Sequence, residues 1–230
     1  MDFYTNVISY GNSILVRGVR NGERITARNK YQPTLFVPVK KKTQYKALDG
    51  KYLTPVKQQS IKHSKEFLSQ YENQQNLIYG MTRYNFQYIS DNWRGEIKWN
   101  IDNILIVTID IEVASDNGFP KVEDSIEELL SITIKNHQSK KLVVFGVNDY
   151  VNNREDVSYV KCETEVELLK KFLTFWESNK PDVVTGWNSK FYDLPYLIHR
   201  IKILFGEDEV KRLSVWKTVY KDSVYISGKE

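Results

Sequence analysis

Cysteine is nearly missing from this sequence: Cys162 stands alone among 230 residues, so no internal disulfide can form and a reducing compartment is expected. Long apolar runs are missing as well, and none approaches the length of a bilayer-spanning helix, so no membrane association is expected. The opening residues Met1, Asp2, Phe3 and Tyr4 hold neither a basic lead nor an apolar signal core, which argues for a cytoplasmic protein. Glycine (11) and proline (6) are few, and neither Gly-x-Gly-x-x-Gly nor a lysine-ended phosphate loop occurs. His63, His137 and His199 stand apart, without the spacing of a zinc site. No Ser/His/Asp grouping follows from order or spacing.

What remains is the composition of an ordinary globular chain, 41% hydrophobic and 27% charged, long enough for one large domain or two modest ones. The net charge of +4 is unevenly spread. Residues 1–100 hold 16 Lys and Arg against 7 Asp and Glu, while the rest hold 17 against 22. A basic front and an acidic back point to two modules, the first able to attract a phosphate backbone or simply to carry a solvated surface. Aromatic residues reach 13%, enough for base stacking and equally for a β-rich core.

The front half reads as β-rich. Strands are predicted over 3–9 and 13–19 across a Gly11-Asn12 turn, and Asn21-Gly22 is a hairpin signal because both of its positions favour positive φ. A further strand over 31–39 carries prolines that suit a sheet edge, and Asp49-Gly50 marks another hairpin. The only clear helix of this half spans 60–71, with Ile61, Phe67 and Leu68 available for one face. The back half predicts strands over 104–113, 128–136 and 140–148, the last two joined at His137-Gln138-Ser139. A helix over 164–179 follows, with Thr164 and Glu167 as a capping box and Val166, Leu169, Phe172, Leu173 and Trp176 as its apolar stripe. A short buried strand over 182–187 leads to a helix over 193–205, with Leu194, Leu197, Ile198, Ile201 and Leu204 inward and Gly206 as its stop. The order predicts an α/β (α+β) chain with a mixed sheet, dividing into 1–103 and 104–230. Cys162 reads as a small side chain at a strand edge.

Chemistry concentrates at Thr108-Ile109-Asp110-Ile111-Glu112-Val113. In a strand Asp110 and Glu112 share one face, roughly 6.5–7 Å apart along the backbone, while Ile109, Ile111 and Val113 take the other. Two carboxylates on one rigid element suit Mg²⁺ or Mn²⁺ rather than Zn²⁺. Such carboxylates can hold the pair of ions, about 3.5–4 Å apart, used for in-line attack on a phosphodiester. The second place is Gly186-Trp187-Asn188-Ser189-Lys190-Phe191-Tyr192-Asp193-Leu194-Pro195-Tyr196. Asp193 begins a helix, where it can serve as N-cap, as ligand, or as both. Asn188 can donate to a substrate phosphate or brace the turn.

These residues carry a resemblance. The stretch 106–120, from Ile106-Val107-Thr108 through Asp110-Ile111-Glu112 to Gly118-Phe119-Pro120, resembles the first exonuclease motif of family B DNA polymerases, in the form found in T-even-like phage replicases. Residues 188–196 resemble the second motif, an Asn followed by an aromatic-Asp pair. Tyr31-Gln32-Pro33-Thr34-Leu35-Phe36, residues 200–207 and Lys211-Arg212-Leu213-Ser214 are also similar to those enzymes, so the likeness runs over nearly the whole chain.

The resemblance implies a family B N-terminal domain over 1–103 and a ribonuclease H-like 3′→5′ exonuclease domain over 104–230, within a DNA-directed DNA polymerase. Asp110, Glu112 and Asp193 would be catalytic metal ligands for Mg²⁺ or Mn²⁺. Phe119 would pack against the terminal base of a frayed strand, the alternative being a ring tucked into the core. Asn188 would contact the strand's end. Implied partners are DNA (a single-stranded 3′ end and the template strand), the remainder of the polymerase, a sliding clamp and other replisome proteins. The family's third motif, Tyr-x-x-x-Asp, does not follow Asp193; that spacing occurs only from Tyr45 to Asp49, next to a turn. Asp208 and Asp222 follow Asp193 without the tyrosine. The exonuclease site is therefore expected to be incomplete and the isolated chain weakly active or inactive. Two alternatives stay open: a non-catalytic nucleic-acid-binding module of a split polymerase, and a stand-alone exonuclease with a replacement ligand.

Overall fold

In the structure, a computed structural model that describes residues 2–116 and 118–219, Asn21 and Gly22 both take positive φ (53° and 80°). That is the backbone a two-residue hairpin needs. They close the second turn of an antiparallel meander, β1 (Phe3–Tyr10), β2 (Ser13–Arg20) and β3 (Glu23–Lys30). A second sheet is built from β4 (Thr34–Val39), β5 (Tyr45–Lys46) and β6 (Tyr52–Lys57), in the order β4-β6-β5. β4 is an outer strand of that order, and its Phe36 exchanges two backbone bonds of 2.9 Å with Tyr79 on the side away from β6. Pro38 has the same parity, so its missing N–H falls on that outer side, as expected of an edge proline.

α1 (Ile61–Ser69) starts at Ser60, whose hydroxyl accepts from the His63 amide at 3.2 Å. Asn12 Oδ1 accepts from the Lys62 amide at 2.8 Å, so two side chains serve one helix start. A second helix of this half, α2 (Tyr84–Asn92), corrects the single-helix expectation. Its buried residues are Tyr84 and Gln87, so it shows no apolar stripe. The Gln87 amide accepts from Thr34 N at 2.9 Å and donates to Thr34 O at 2.6 Å, pairing with β4 as another peptide would. The Tyr31 hydroxyl lies 2.9 Å from Gln87 Oε1 and 2.6 Å from Asp91 Oδ2.

By its contacts the chain divides into two compact units, Met1–Asn103 and Ile104–Glu230. The second is organised on a five-stranded sheet ordered β10-β9-β8-β7-β11: β7 (Ile106–Val113), β8 (Leu129–Asn136), β9 (Leu142–Gly146), β10 (Val157–Lys161) and β11 (Val183–Thr185). β7, β8 and β9 pair antiparallel, while β10 runs parallel to β9 and β11 parallel to β7. α3 (Glu165–Asn179) and α4 (Asp193–Phe205) complete one core with Val107, Ile109, Ile111, Ile132, Ile134 and Phe145. The result is the mixed α/β architecture expected of a ribonuclease H-like domain. A short helix, α5 (Glu207–Val210), follows the Gly206 stop. No helix among the described residues is long and apolar enough to cross a membrane.

Three local expectations change. β10 was not predicted, because five residues at a sheet edge alternate only weakly in burial. In α3, Val166 is 39% exposed and the buried stripe is Leu168, Leu169, Phe172, Leu173 and Trp176. The strand expected over 182–187 shrinks to three residues and is not buried, since Val183 and Trp187 face outward. The capping box holds in altered form: Thr164 Oγ1 accepts from Glu167 N at 3.2 Å, but Glu167 Oε2 accepts from Glu163 N, one residue before the cap.

Candidate active site

β7 alternates as its sequence requires: Val107, Ile109 and Ile111 are buried, while Asp110 and Glu112 are exposed on the opposite face. Neither of these carboxylates has a hydrogen bond or ion pair with another described residue. Thr108, two places before Asp110 on the same face, is held by His137, Oγ1 to Nε2 at 2.8 Å.

Asp193 reaches this strand from the first position of α4. The N-cap is Tyr192, which makes no side-chain capping bond, so Asp193 is not the N-cap that its helix-start position allowed. Its Oδ1 instead accepts from the backbone N–H of Ile111 at 3.2 Å, the residue between Asp110 and Glu112. The cause lies in the sheet. β11 pairs with β7 only as far as Thr185 opposite Thr108, so farther along this edge the strand's N–H groups have no ladder partner. The carboxylate supplies the acceptor that a longer β11 would have given. Asp193 is only 4% exposed. Burial pushes its carboxyl above the ordinary value, amide bonds from Ile111 and from its own N–H pull it down, and the charge on Asp110 pushes it up again.

The turn that delivers Asp193 depends on Gly186. A Cβ there would lie 2.5 Å from the Ile109 carbonyl oxygen and 2.9 Å from Ser189 Cβ, so the turn sits closer to β7 than any side chain allows. Asn188 takes a left-handed conformation (φ 59°), and its carbonyl accepts from both Phe191 N and Tyr192 N at 3.0 Å. Bracing is thus the work of its backbone, while its side chain is exposed and unbonded among the described residues.

Phe119 is 80% exposed, which removes the alternative of a ring tucked into the core. It leans on Tyr192 at 5.3 Å between ring centroids, and Tyr192 in turn lies 5.8 Å from the fully buried Tyr196. Burial, followed by the charges of Asp193 and Glu112, holds the Tyr192 hydroxyl above its usual range. The Phe119–Tyr192 pair therefore borders the acidic groups.

The structure brings Asp110 and Asp193 within electrostatic reach of each other and joins Asp193 to the backbone between the two strand acids. It does not gather all three: among the described residues no three Asp, Glu, His or Cys side chains form a group able to hold a metal ion. Asp110 and Glu112 face solvent, while Asp193 is drawn inward by the Ile111 amide. The donors offered are carboxylate oxygens, a set that fits a hard divalent cation. Asp49, at the one Tyr-x-x-x-Asp spacing, is already engaged by the Tyr79 hydroxyl at 2.7 Å and Lys51 at 3.0 Å, and Asp222 lies outside the described residues.

Two features escaped the sequence reading. Trp187 (94% exposed), Lys190 and the half-exposed Phe191 line the turn before Asp193, with the Lys190 ammonium 5.5 Å from the Phe191 ring centroid. Arg200 lies on the buried face of α4 and makes a two-bond pair with Glu165, at 2.6 and 2.7 Å. A charge on a buried helical stripe requires a partner, and that signal was present in the sequence.

Comparison with known proteins places these features in a family. The family model for the exonuclease domain of DNA polymerase family B matches residues 56–223. Over 93% of its length the chain is 30% identical to the DNA-directed DNA polymerase of Escherichia phage RB69, covering 27% of that protein. It is 28% identical to the DNA-directed DNA polymerase of Enterobacteria phage T4, again over 93% of the chain and covering 26% of the relative. A DNA polymerase delta catalytic subunit from Candida albicans is 31% identical over 54% of the chain. The chain spans about a quarter of the length of the phage relatives.

Proposed function

Because the chain belongs to the family B DNA polymerases and carries their exonuclease domain, we propose that it is the N-terminal and exonuclease portion of a DNA-directed DNA polymerase, and that its second unit removes nucleotides from DNA 3′ ends. Proofreading by 3′→5′ hydrolysis is the function of this domain in the family. The observation that carries the reading is the double projection of Asp110 and Glu112 from β7, with the Asp193 carboxylate bonded to the amide between them.

Family B exonuclease domains use divalent metal ions, and in this chain Asp110, Glu112 and Asp193 would hold Mg²⁺ or Mn²⁺. Such ions, when bound, sharpen a water nucleophile and steady the leaving oxygen. The chain's own residues do the rest. β7 fixes the two exposed carboxylates on a rigid element, and the Ile111 amide orients the third. Phe119, exposed and backed by Tyr192, offers a ring to the terminal base. The free amide of Asn188 is a donor for the strand's last phosphate. Because the three acids are not gathered into one group among the described residues, cleavage by the chain on its own is expected to be slow. Its partners in this reading are single-stranded 3′ ends, the template strand and the remainder of the polymerase, with a sliding clamp and other replisome proteins beyond them, in the cytoplasm of a host cell.

A 5′-labelled single-stranded DNA incubated with the chain and Mn²⁺ or Mg²⁺ is expected to shorten slowly from its 3′ end. Asp110→Ala should reduce the rate by about 100-fold or more, since a lost ligand removes both charge and geometry. Shortening that survives Asp110→Ala with Glu112→Ala would sink the assignment. The uneven charge, basic over residues 1–100, favours one second reading, a non-catalytic module that holds nucleic acid. In that case no shortening is seen, and salt-dependent binding persists in the same double variant.

A further inference from the structure

The connection from β7 to β8, residues 114–128, carries Phe119 and has no helix or strand among its described residues. Connections of that length are either put to use or loosely held. This one is tied down, and three side chains of α4 reach its carbonyls. Tyr196 donates its hydroxyl proton to the Glu127 carbonyl at 2.8 Å. His199 lies 2.7 Å from the Val122 carbonyl through Nδ1, and since a carbonyl only accepts, the imidazole proton must sit on that nitrogen. Arg200 Nη1 donates to the carbonyls of Ser125 at 3.2 Å and Ile126 at 2.9 Å.

The other edge of the same guanidinium grips Glu165, the first residue of α3, through Nε and Nη2. Glu165 Oε1 also accepts from Leu129 N, the first amide of β8, at 2.9 Å. Arg200 and Glu165 are both buried. One planar fork thus joins α3, α4 and the loop, a geometry that the single ammonium of a lysine cannot reproduce. Asp193, Tyr196 and Arg200 follow one another at helical spacing on one side of α4. The helix that presents the buried acid is therefore also the body to which the Phe119 loop is bolted. Among the described residues Phe119 makes one ring contact, with Tyr192, and the bonds to α4 all fall on the backbone that follows it.

We infer that the Glu165–Arg200 pair, together with Tyr196 and His199, is a positioning unit that holds the Phe119 loop in register with Asp193 and so governs how firmly a single-stranded 3′ end is gripped. The inference rests on the nuclease reading above, and its test can be separated from that reading. The probe is a single-stranded oligonucleotide with 2-aminopurine as its 3′-terminal base, titrated with the full chain in metal-free buffer, where no cleavage interferes. The wild-type chain is expected to change the fluorescence of the terminal base. Arg200→Lys and Phe119→Ala should each raise the half-saturating concentration about tenfold, and the double variant should be no worse than either single one.

Losses that multiply in the double variant, or no loss in Arg200→Lys, would overturn the inference. A helix that acted only as scaffold would lower thermal stability without this non-additivity. Should Arg200→Lys fail to fold, His199→Ala, which removes one tie from a partly exposed position, is expected to behave in the same direction. A wild-type chain that neither cuts in Mn²⁺ nor perturbs the terminal base would overturn the nuclease reading together with the inference. A wild type that does both, beside silent Arg200 and His199 variants, would overturn the inference alone.

Discussion

The turn 186–192 and the loop 114–128 both border the acidic end of β7, yet the chain fixes them by different means. The turn is held through its backbone: Gly186 lies against the Ile109 carbonyl, and the Asn188 carbonyl gathers two amides. The loop is closed at its base by Ala114 N on the Glu128 carbonyl, has no comparable approach, and meets α4 through side chains of Tyr196, His199 and Arg200 reaching its carbonyls. A backbone-held turn has no slack and tolerates only one residue type at its tightest point. A loop held by side chains can be loosened one bond at a time. In the proposed reading, the acid that must not move arrives on the first, and the aromatic that would meet a variable base arrives on the second.

The sharpest way to break this contrast is Gly186→Val. The added side chain meets backbone, which cannot swing aside, so a cost of about 3 kcal/mol is expected, read from the denaturant midpoint. The Ile111 amide should then exchange with solvent far faster, because Asp193 leaves with the turn. A valine tolerated at unchanged stability would mean that the turn has slack after all. Next in size is Tyr196→Phe on the loop side. It removes one hydroxyl and its bond to the Glu127 carbonyl, at a cost of about 1 kcal/mol, measurable by the same titration. Equal costs for the two substitutions would erase the distinction between turn and loop.

The smallest effect is a matter of pH. The folded Asp193 carboxyl titrates above its ordinary value of 3.8. Its neutral form is therefore the favoured one in the fold, and wild-type stability declines as pH rises from 3.8 through the folded value. Asp193→Asn keeps an oxygen for the Ile111 amide and removes the titration. Its stability relative to wild type should rise over that interval and stay level above it, by under about 1 kcal/mol, while cleavage is lost. Thermal melts across pH 3–8 would show it, and a difference that does not vary with pH would contradict the assigned environment of this group.

Patterns set by local chemistry were readable in advance. The alternation of β7, the Asn21-Gly22 hairpin, the Thr164 cap and the Gly206 stop each follow from side-chain parity, positive φ or an orphan amide within a few residues. Features that depend on distant partners were not readable. α2 buries Gln87 against Thr34, and no apolar periodicity announces a helix anchored by an amide. Asp193 looked like a helix cap because the amide it serves lies in a strand 82 residues away in sequence. Val166 entered the expected stripe of α3 because it is apolar, whereas its neighbour Leu168 is the residue turned inward. Phe119 could be placed on a loop but not on a side of it, because the ring it meets and the side chains that tie its loop lie on a distant stretch of the sequence.

The early end of β11 has one more consequence. Beyond Thr185 the margin of β7 lies bare, and bare strand margins invite a foreign segment to zip alongside and seed aggregation. Asp193 occupies that place with an ionisable group already hydrogen-bonded to the strand. An intruding chain would have to evict it and bury its own peptide against two further carboxylates, so the acid proposed for the chemistry also defends the sheet's margin.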